Sequence, residues 1–391
     1  MFIKKPKLIL GIIAIVLISS LSTLFLINPF GVNIGKLIKM KVASTIISRT
    51  YYEDISSNEM AEYAIAGLAA STNDPYTGYL WGERAQSYLE EIQGDYSGVG
   101  LYIENNTEDN TITVVSPIIG SPAEAAGIVT GDKILKINGT EYTGDKLNDA
   151  VVAMKGPEGT EVTVTIRFKK TGEEKDITLT RQQIKVKSVT GEMLDNNVAY
   201  ISITQFTENV DTEFKEVSDG LLDAGAKYLI IDLRNNPGGM LDKVVTIADS
   251  FVPDGEIITY TLDKNGKREE FRGTSSKKIK LPVAVLINGG SASASEILTG
   301  CLKDHNIAKI FGEKSFGKGV VQEVLPLGFS GILSITVARY YCPSGVCIHK
   351  QGIEPDTEVK MSSEKSADLS NLPHTEDDQL LAAYEYLLSL N

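Results

Sequence analysis

Ile287-Asn-Gly-Gly-Ser-Ala-Ser-Ala-Ser-Glu-Ile297 joins an apolar run, Leu281 to Leu286, to a pattern of helical spacing from Ala292 to His305. The run, with Pro282 at its start, reads as a buried strand. Ile297, Leu298, Cys301 and Leu302 are the apolar members of the helix that follows. Gly289 and Gly290 supply the sharp turn, so Ser291, Ser293 and Ser295 gather where strand becomes helix. A hydroxyl there stands near backbone N–H groups that favour a developing negative charge. Serines at a helix start are equally what capping requires. Taken alone, this stretch fits either reading.

A second stretch, Phe316-Gly-Lys-Gly-Val-Val-Gln322, frees the backbone around one lysine and then reads as a strand. Side chains alternate along a strand, so Lys318, Val320 and Gln322 are expected on one face. A lysine and a glutamine directed the same way suit a base and its orienting partner. A solvated lysine in a glycine-rich loop is the plain alternative. A serine hydroxyl is a poor nucleophile until a base takes its proton, and a lysine can do so only when burial lowers its pKa. Phe316, Val320 and Val321 are candidates for that apolar wall. A Ser-His-Asp triad has only His305, His349 and His374 to draw on and no Gly-x-Ser-x-Gly elbow. Gly312 to Gly319 nearly matches a phosphate-binding loop, but Gly319 stands where a Ser or Thr hydroxyl is needed.

These two stretches, with Asp232-Leu-Arg-Asn-Asn-Pro-Gly-Gly239 upstream, resemble the carboxy-terminal processing (tail-specific) proteases, PDZ-containing peptidases of the Ser-Lys type. The similarity runs from about residue 40 to about residue 360, with separated motifs in the family's order. It implies Ser293 as nucleophile, Lys318 as general base and Gln322 as the residue holding the lysine amine. Consecutive glycines at a strand-to-helix turn let N–H groups point outward, and an oxyanion needs two such donors. The resemblance places them at Gly239 and Ala294. It also implies an α/β catalytic domain built like the crotonase and Clp protease cores.

The chain has 391 residues, 42% hydrophobic, enough for two or three domains. Its formal charge of −13, without a basic stripe, argues against a nucleic-acid partner. Lys4, Lys5 and Lys7 precede an uncharged run from Leu8 to Ile27, about the 20 residues that cross a bilayer. The flanking lysines predict a cytoplasmic tip, 1–7, and an outward-facing remainder. No small-x-small cleavage site follows, so we expect an uncleaved single-pass anchor in the cytoplasmic membrane. Cys342 and Cys347 flank Pro-Ser-Gly-Val, read as a hairpin turn, and an oxidising exterior would allow them to pair as a disulfide. They are not read as metal ligands.

Residues 34–94 are expected to be largely helical, up to and beyond the turn Asn73-Asp-Pro-Tyr-Thr-Gly-Tyr79. By analogy with the family this region suggests a homodimer. Residues 95–181 resemble a PDZ domain, with Gly98, Val99, Gly100 and Leu101 as its carboxylate-binding loop. Strand, glycine turn and helix recur over 185–360, which implies a substantially parallel sheet. A polar linker and an apolar helical pattern fill 361–391. The expectation is therefore an α/β catalytic domain with an inserted PDZ domain, a helical N-terminal region and a transmembrane helix. Its function would be extracytoplasmic cleavage of protein or peptide substrates with free C-termini, and no metal or cofactor is implied. The rivals are a PDZ scaffold that binds tails without cutting and an acyl-CoA enzyme on the related fold.

Overall fold

The computed structural model describes residues 34–390 apart from 107, 108, 119, 275–278, 329, 330, 363, 364, 367, 368, 370 and 371. The expected tip 1–7 and membrane span 8–27 lie outside the described residues. Among those described, no helix is long and apolar enough to cross a membrane. The chain divides into two units, Met1–Asn73 and Asp74–Asn391.

In the first unit, α1 (Ile34–Thr50) and α2 (Ser57–Ala70) follow the apolar spacing of the sequence. The Ser56 hydroxyl caps α2 by accepting from the Glu59 N–H at 3.0 Å. Leu37, Ile38, Met40, Val42 and Ile46 of α1 are exposed.

The second unit opens with a turn in which the Asp74 carboxylate accepts from Tyr76 N–H at 3.1 Å and Thr77 Oγ1 at 2.7 Å. β1 (Gly78–Trp81) and α3 (Glu83–Gln93) follow. β2 (Asp95–Gly98) then leads into an antiparallel segment. Its strands are β3 (Leu101–Asn106), β4 (Thr111–Pro117), β5 (Lys133–Ile137), β6 (Thr140–Glu141), β7 (Glu161–Arg167) and β8 (Glu174–Thr180). The short α4 (Pro122–Ala125) and α5 (Leu147–Met154) accompany them. The sheet order is β3-β4-β5-β7-β8, with β6 against β5, so β3 is an end strand. Val99, Ile112, Val114, Ile128, Ile134 and Val164 form its core. β9 (Gln182–Lys185) returns antiparallel to β2 and closes the insertion.

Next come β10 (Val189–Leu194), β11 (Val198–Ile203), α6 (Val210–Asp223), β12 (Tyr228–Asp232) and α7 (Leu241–Asp249). A hairpin, β13 (Ile257–Asp263) and β14 (Arg268–Arg272), precedes β15 (Val283–Ile287), α8 (Ala294–Asp304) and β16 (Ala308–Gly312). β17 (Val320–Pro326), β18 (Gly331–Tyr341), β19 (Thr357–Glu358) and α9 (Asp378–Leu388) complete the chain. β11, β12, β15, β16 and β19 are parallel neighbours in that order, with β10 antiparallel at one edge.

Alternation along these strands gives the sheet two apolar faces. Ile201, Ile203, Ile231, Val285 and Ile287 join Phe214 of α6, Val244 and Ile247 of α7, and Leu298 and Leu302 of α8. Val198, Tyr228, Ile230, Ala284, Leu286 and Phe311 face the other way, onto Leu380, Ala383 and Leu387 of α9. Each such aliphatic side chain, fully buried, contributes about 1.5–3 kcal/mol. The C-terminal helix is thus the cover of one whole face. A second, antiparallel sheet runs β1-β18-β13-β14 with β17 on β18.

The cysteine expectation is corrected here. Cys342 and Cys347 are free thiols, as is Cys301. The tight turn forms, with Cys342 N–H donating to Val346 O at 3.0 Å, but the Cys342 sulfur packs against α8, 2.5 Å from where a Cβ on Gly300 would stand. Burial pushes the Cys342 thiol up to about 12, which makes it a poor nucleophile for disulfide exchange. Titration of the unfolded protein without reductant should therefore find three thiols. A single thiol would show that a pair had closed.

Candidate active site

The loops at the C-terminal ends of β12, β15 and β16 meet, the usual crevice of a parallel sheet. They separate the roles of the three serines. Ser291 Oγ donates to Leu233 O at 2.7 Å and accepts from Asn288 N–H at 3.0 Å. Ser295 Oγ donates to Asn236 O at 2.9 Å. Both are fully buried and structural. Ser293 alone of the three lines the cavity. Its φ of 54° and ψ of −114° form a conformation that a non-glycine residue rarely adopts. The sharp turn expected of a nucleophile elbow is present without the usual glycine pattern.

The strained turn is held by a residue whose part the sequence did not disclose. Glu296, fully buried, sits three residues on in the first turn of α8. Its carboxylate accepts from Ser293 N–H at 2.9 Å, Ser315 Oγ at 2.5 Å, Gly317 N–H at 2.7 Å and Lys318 N–H at 2.8 Å. One side chain therefore binds the serine turn to the lysine loop. Burial pushes its carboxyl above the usual range, against hydrogen bonds that favour the anion. Tyr340 adds a second tie, its hydroxyl reaching Ser293 O at 3.0 Å and Lys318 O at 2.5 Å. A glutamate at the third helical position is a capping-box signal, and that was the only trace of it in the sequence.

Lys318 precedes β17 in the loop and lines one cavity together with Val320 and Gln322, as strand alternation predicts. A register shift between Val321 and Gln322 interrupts the period, and Val321 borders the same cavity as well. Phe316, expected as a wall, is 59% exposed. The walling comes from Tyr76 instead: Lys318 Nζ stands over its ring, 5.1 Å from the centroid. Burial pulls the lysine below its ordinary value, and the carboxylates of Asp74 and Glu296 partly oppose this. Gln322 Nε2 donates to Thr336 Oγ1 at 3.3 Å, and Thr336 N–H in turn donates to Thr77 Oγ1 at 3.1 Å. The turn at Asp74 thus reaches the lysine, a link invisible in sequence because 259 positions separate its hydrogen-bonded members. Among the described residues no hydrogen bond joins Ser293 Oγ to Lys318 Nζ.

Gly239 and Ala294 border the same cavity. Neither N–H has a hydrogen-bond partner among the described residues. Gly238, at φ 102°, lies so close to the serine turn that a Cβ on it would be 2.6 Å from Ser293 Cβ. A Cβ on Gly239 would be 2.2 Å from Phe206 O, so neither position admits another residue without a shift. Asn236, fully buried, locks this turn to the next. Its main-chain oxygen accepts from Ala292 N–H at 3.0 Å, and its side chain bonds Ile203 O at 2.7 Å and Gly238 N–H at 2.9 Å.

The cavity measures about 440 Å³ and the rest of its lining is mainly apolar, Leu89 and Ile92 of α3 with Met240, Leu241, Ile297 and Val324, while Tyr88 and Asp242 add polar groups. Gly98 to Leu101 lie apart from it, at the junction of β2 and the edge strand β3. There Val99 O and Gly100 O accept from Ala123 N–H and Ile118 N–H, each at 3.0 Å. Among the described residues no cluster of three His, Cys, Asp or Glu is placed to hold a metal.

Replacing Glu296 by Ala would orphan three buried N–H groups and the Ser315 hydroxyl. At about 1–3 kcal/mol for each buried group left unsatisfied, urea unfolding should show a loss of about 3 kcal/mol or more. A loss under about 1 kcal/mol would mean that water replaces the carboxylate.

Comparison with known proteins agrees with this geometry. Residues 197–359 match peptidase family S41, 113–167 a PDZ domain, and 28–83 the N-terminal domain of the activating protease CtpB. The chain is 35% identical over 345 residues to the carboxy-terminal processing protease CtpA of Bacillus subtilis (strain 168), covering 88% of this chain and 72% of that one. It is 38% identical over 341 residues to a CtpA-like serine protease of Staphylococcus aureus (strain MRSA252), covering 86% and 67%. A solved S41-type protease from Bacteroides fragilis NCTC 9343 shares the fold, with a TM-score of 0.58 at 17% identity, over 89% of this chain and 97% of that one. The chain belongs to the carboxy-terminal processing proteases, serine-type peptidases of family S41 that carry a PDZ domain.

Proposed function

We propose that this peptidase is held at the outer side of the cytoplasmic membrane by residues 8–27, captures protein C-terminal tails through its PDZ domain and cleaves near them with Ser293 and Lys318. The observation that carries the catalytic assignment is the strained Ser293 in a cavity shared with a lysine whose pKa burial has lowered. In this reading the neutral Lys318 amine takes the Ser293 proton as Oγ attacks the peptide carbonyl. The oxyanion falls to the free N–H groups of Gly239 and Ala294. Lys318 then returns the proton to the departing amine, and water cleaves the acyl-enzyme by the same steps. Reaction requires the Lys318 amine to leave the Tyr76 ring and turn to Ser293. Gln322, fixed by Thr336, is assigned the orienting role.

The apolar lining beside Ser293 favours an apolar substrate side chain at the cut bond. The place of β3 at the end of its sheet supports tail capture as an added strand, with the carboxylate at the Gly98–Leu101 loop. The exposed apolar side chains of α1 support the homodimer. Location outside the membrane rests on the lysines before the apolar run.

The decisive test uses residues 36–391 on casein, with Ser293→Ala and Lys318→Ala alongside and peptide products identified by mass. Cleavage by the unmutated protein alone supports the assignment, and equal cleavage by all three overturns it. The base must be unprotonated, so kcat/KM should climb with pH through a midpoint below the ordinary lysine value of 10.5. The Asp74 carboxylate favours the charged lysine, so Asp74→Asn should move that midpoint to lower pH.

A further inference from the structure

The reading of Gly239 as an oxyanion donor raises the question of what holds its turn. Two residues before Asn236, the Arg234 side chain runs through the interior with only 2% of it exposed. Its Nε donates to Asp232 Oδ1 at 3.0 Å and its Nη2 to Asp232 Oδ2 at 2.6 Å. The rest of the guanidinium is taken by the C-terminal segment. Nη1 and Nη2 meet Asp377 Oδ1 and Oδ2 at 2.9 and 2.7 Å, a two-pronged pairing, and Nη1 reaches Gln379 Oε1 at 3.1 Å. The Asp377 side chain is 4% exposed. It lies beyond the stretch that matches peptidase family S41, which ends at residue 359.

We propose that Asp377 is a positioning residue of this peptidase: through Arg234 it fixes the turn that carries Gly238 and Gly239, so the C-terminal segment helps to build the oxyanion site. The path is short. Arg234 is followed by Asn235 at a φ of 58° and then by Asn236, which bonds Gly238 N–H, Ala292 N–H and Ser295 Oγ. A guanidinium that lost one of its two buried carboxylates would move toward solvent or toward new acceptors. Its main chain has little slack before the glycines, and an oxyanion donor displaced by about 1 Å loses much of its effect. The inference rests on the proposed role of Gly239.

Asp377 also caps α9, with Oδ1 accepting from Gln379 N–H at 3.1 Å and Leu380 N–H at 3.0 Å. A purely structural role is therefore the competing account, and the experiment separates the two. Asp377→Asn and Leu387→Val are compared in the chain used for the casein assay. Leu387 is buried in the same helix and has no part in the Arg234 network. Melting temperature, kcat, KM and hydrogen–deuterium exchange over 235–240 are measured for each. Asp377→Asn should lower kcat at least tenfold with KM within threefold, and should speed exchange in that turn. Leu387→Val should lower the melting temperature while kcat stays within twofold and the turn stays protected. Asp377→Glu should recover part of kcat. Unchanged exchange at 235–240 in Asp377→Asn overturns the proposal, as does an equal fall of kcat in Leu387→Val. If the unmutated protein cleaves no casein, the proposed roles of Ser293 and Lys318 gain no support from it, and exchange over 235–240 alone decides the positioning role. Should Asp377→Asn not fold, Gln379→Leu, which removes one acceptor from Nη1, carries the same comparison.

Discussion

The Glu296 carboxylate stands at the point where two loops with no covalent reason to be near each other must agree to within an ångström. It accepts from the amide of Ser293 on one side and from those of Gly317 and Lys318 on the other. Placing a carboxylate in a dry interior is costly unless donors surround it. Here four donors converge, and each comes from a segment that bears on the site. The cost of burial becomes a geometric constraint, since any drift of either loop would leave a charged group unsatisfied. The positive φ of Ser293 persists under that constraint.

A second constraint lies below the first. The parallel sheet presents apolar side chains on both faces, and the helices α6, α7 and α8 cover only one. α9 covers the other through Leu380, Ala383 and Leu387. Asp377 at its start then meets Arg234 at the start of the glycine turn. Packing of one face and hydrogen bonding at the sheet's active end are thereby joined in a single element. The last helix contributes to both.

The lysine illustrates how opposing effects set a group's chemistry. Desolvation favours the neutral amine, while the Asp74 and Glu296 carboxylates favour the ammonium, and burial prevails. The Tyr76 ring supplies both effects at once: it excludes water, and its π face accepts a cation. Lys318 is thus placed where it can be held charged or used neutral.

Much of this was legible in the chain itself. The strand-turn-helix units followed from apolar runs bounded by glycines, and the residues from Ile287 to Ile297 and from Phe316 to Gln322 marked the site because their chemistry is local. Three serines in alternating positions could not be told apart there, because what separates them is which faces Leu233, which faces Asn236 and which faces open space. The same limit shows elsewhere. Strand period put Lys318, Val320 and Gln322 on one side, where they line the cavity, but gave no sign of the bulge beside Val321, which borders it too. Loop spacing alone paired Cys342 with Cys347, yet Cys342 packs beside Gly300. Sequence by itself determined the order of elements and the reacting groups on offer, since these depend on near neighbours along the chain. Only the tertiary structure decided that Tyr76, Glu296, Arg234 and Asp377 meet around them, because burial and hydrogen-bond satisfaction depend on neighbours in space.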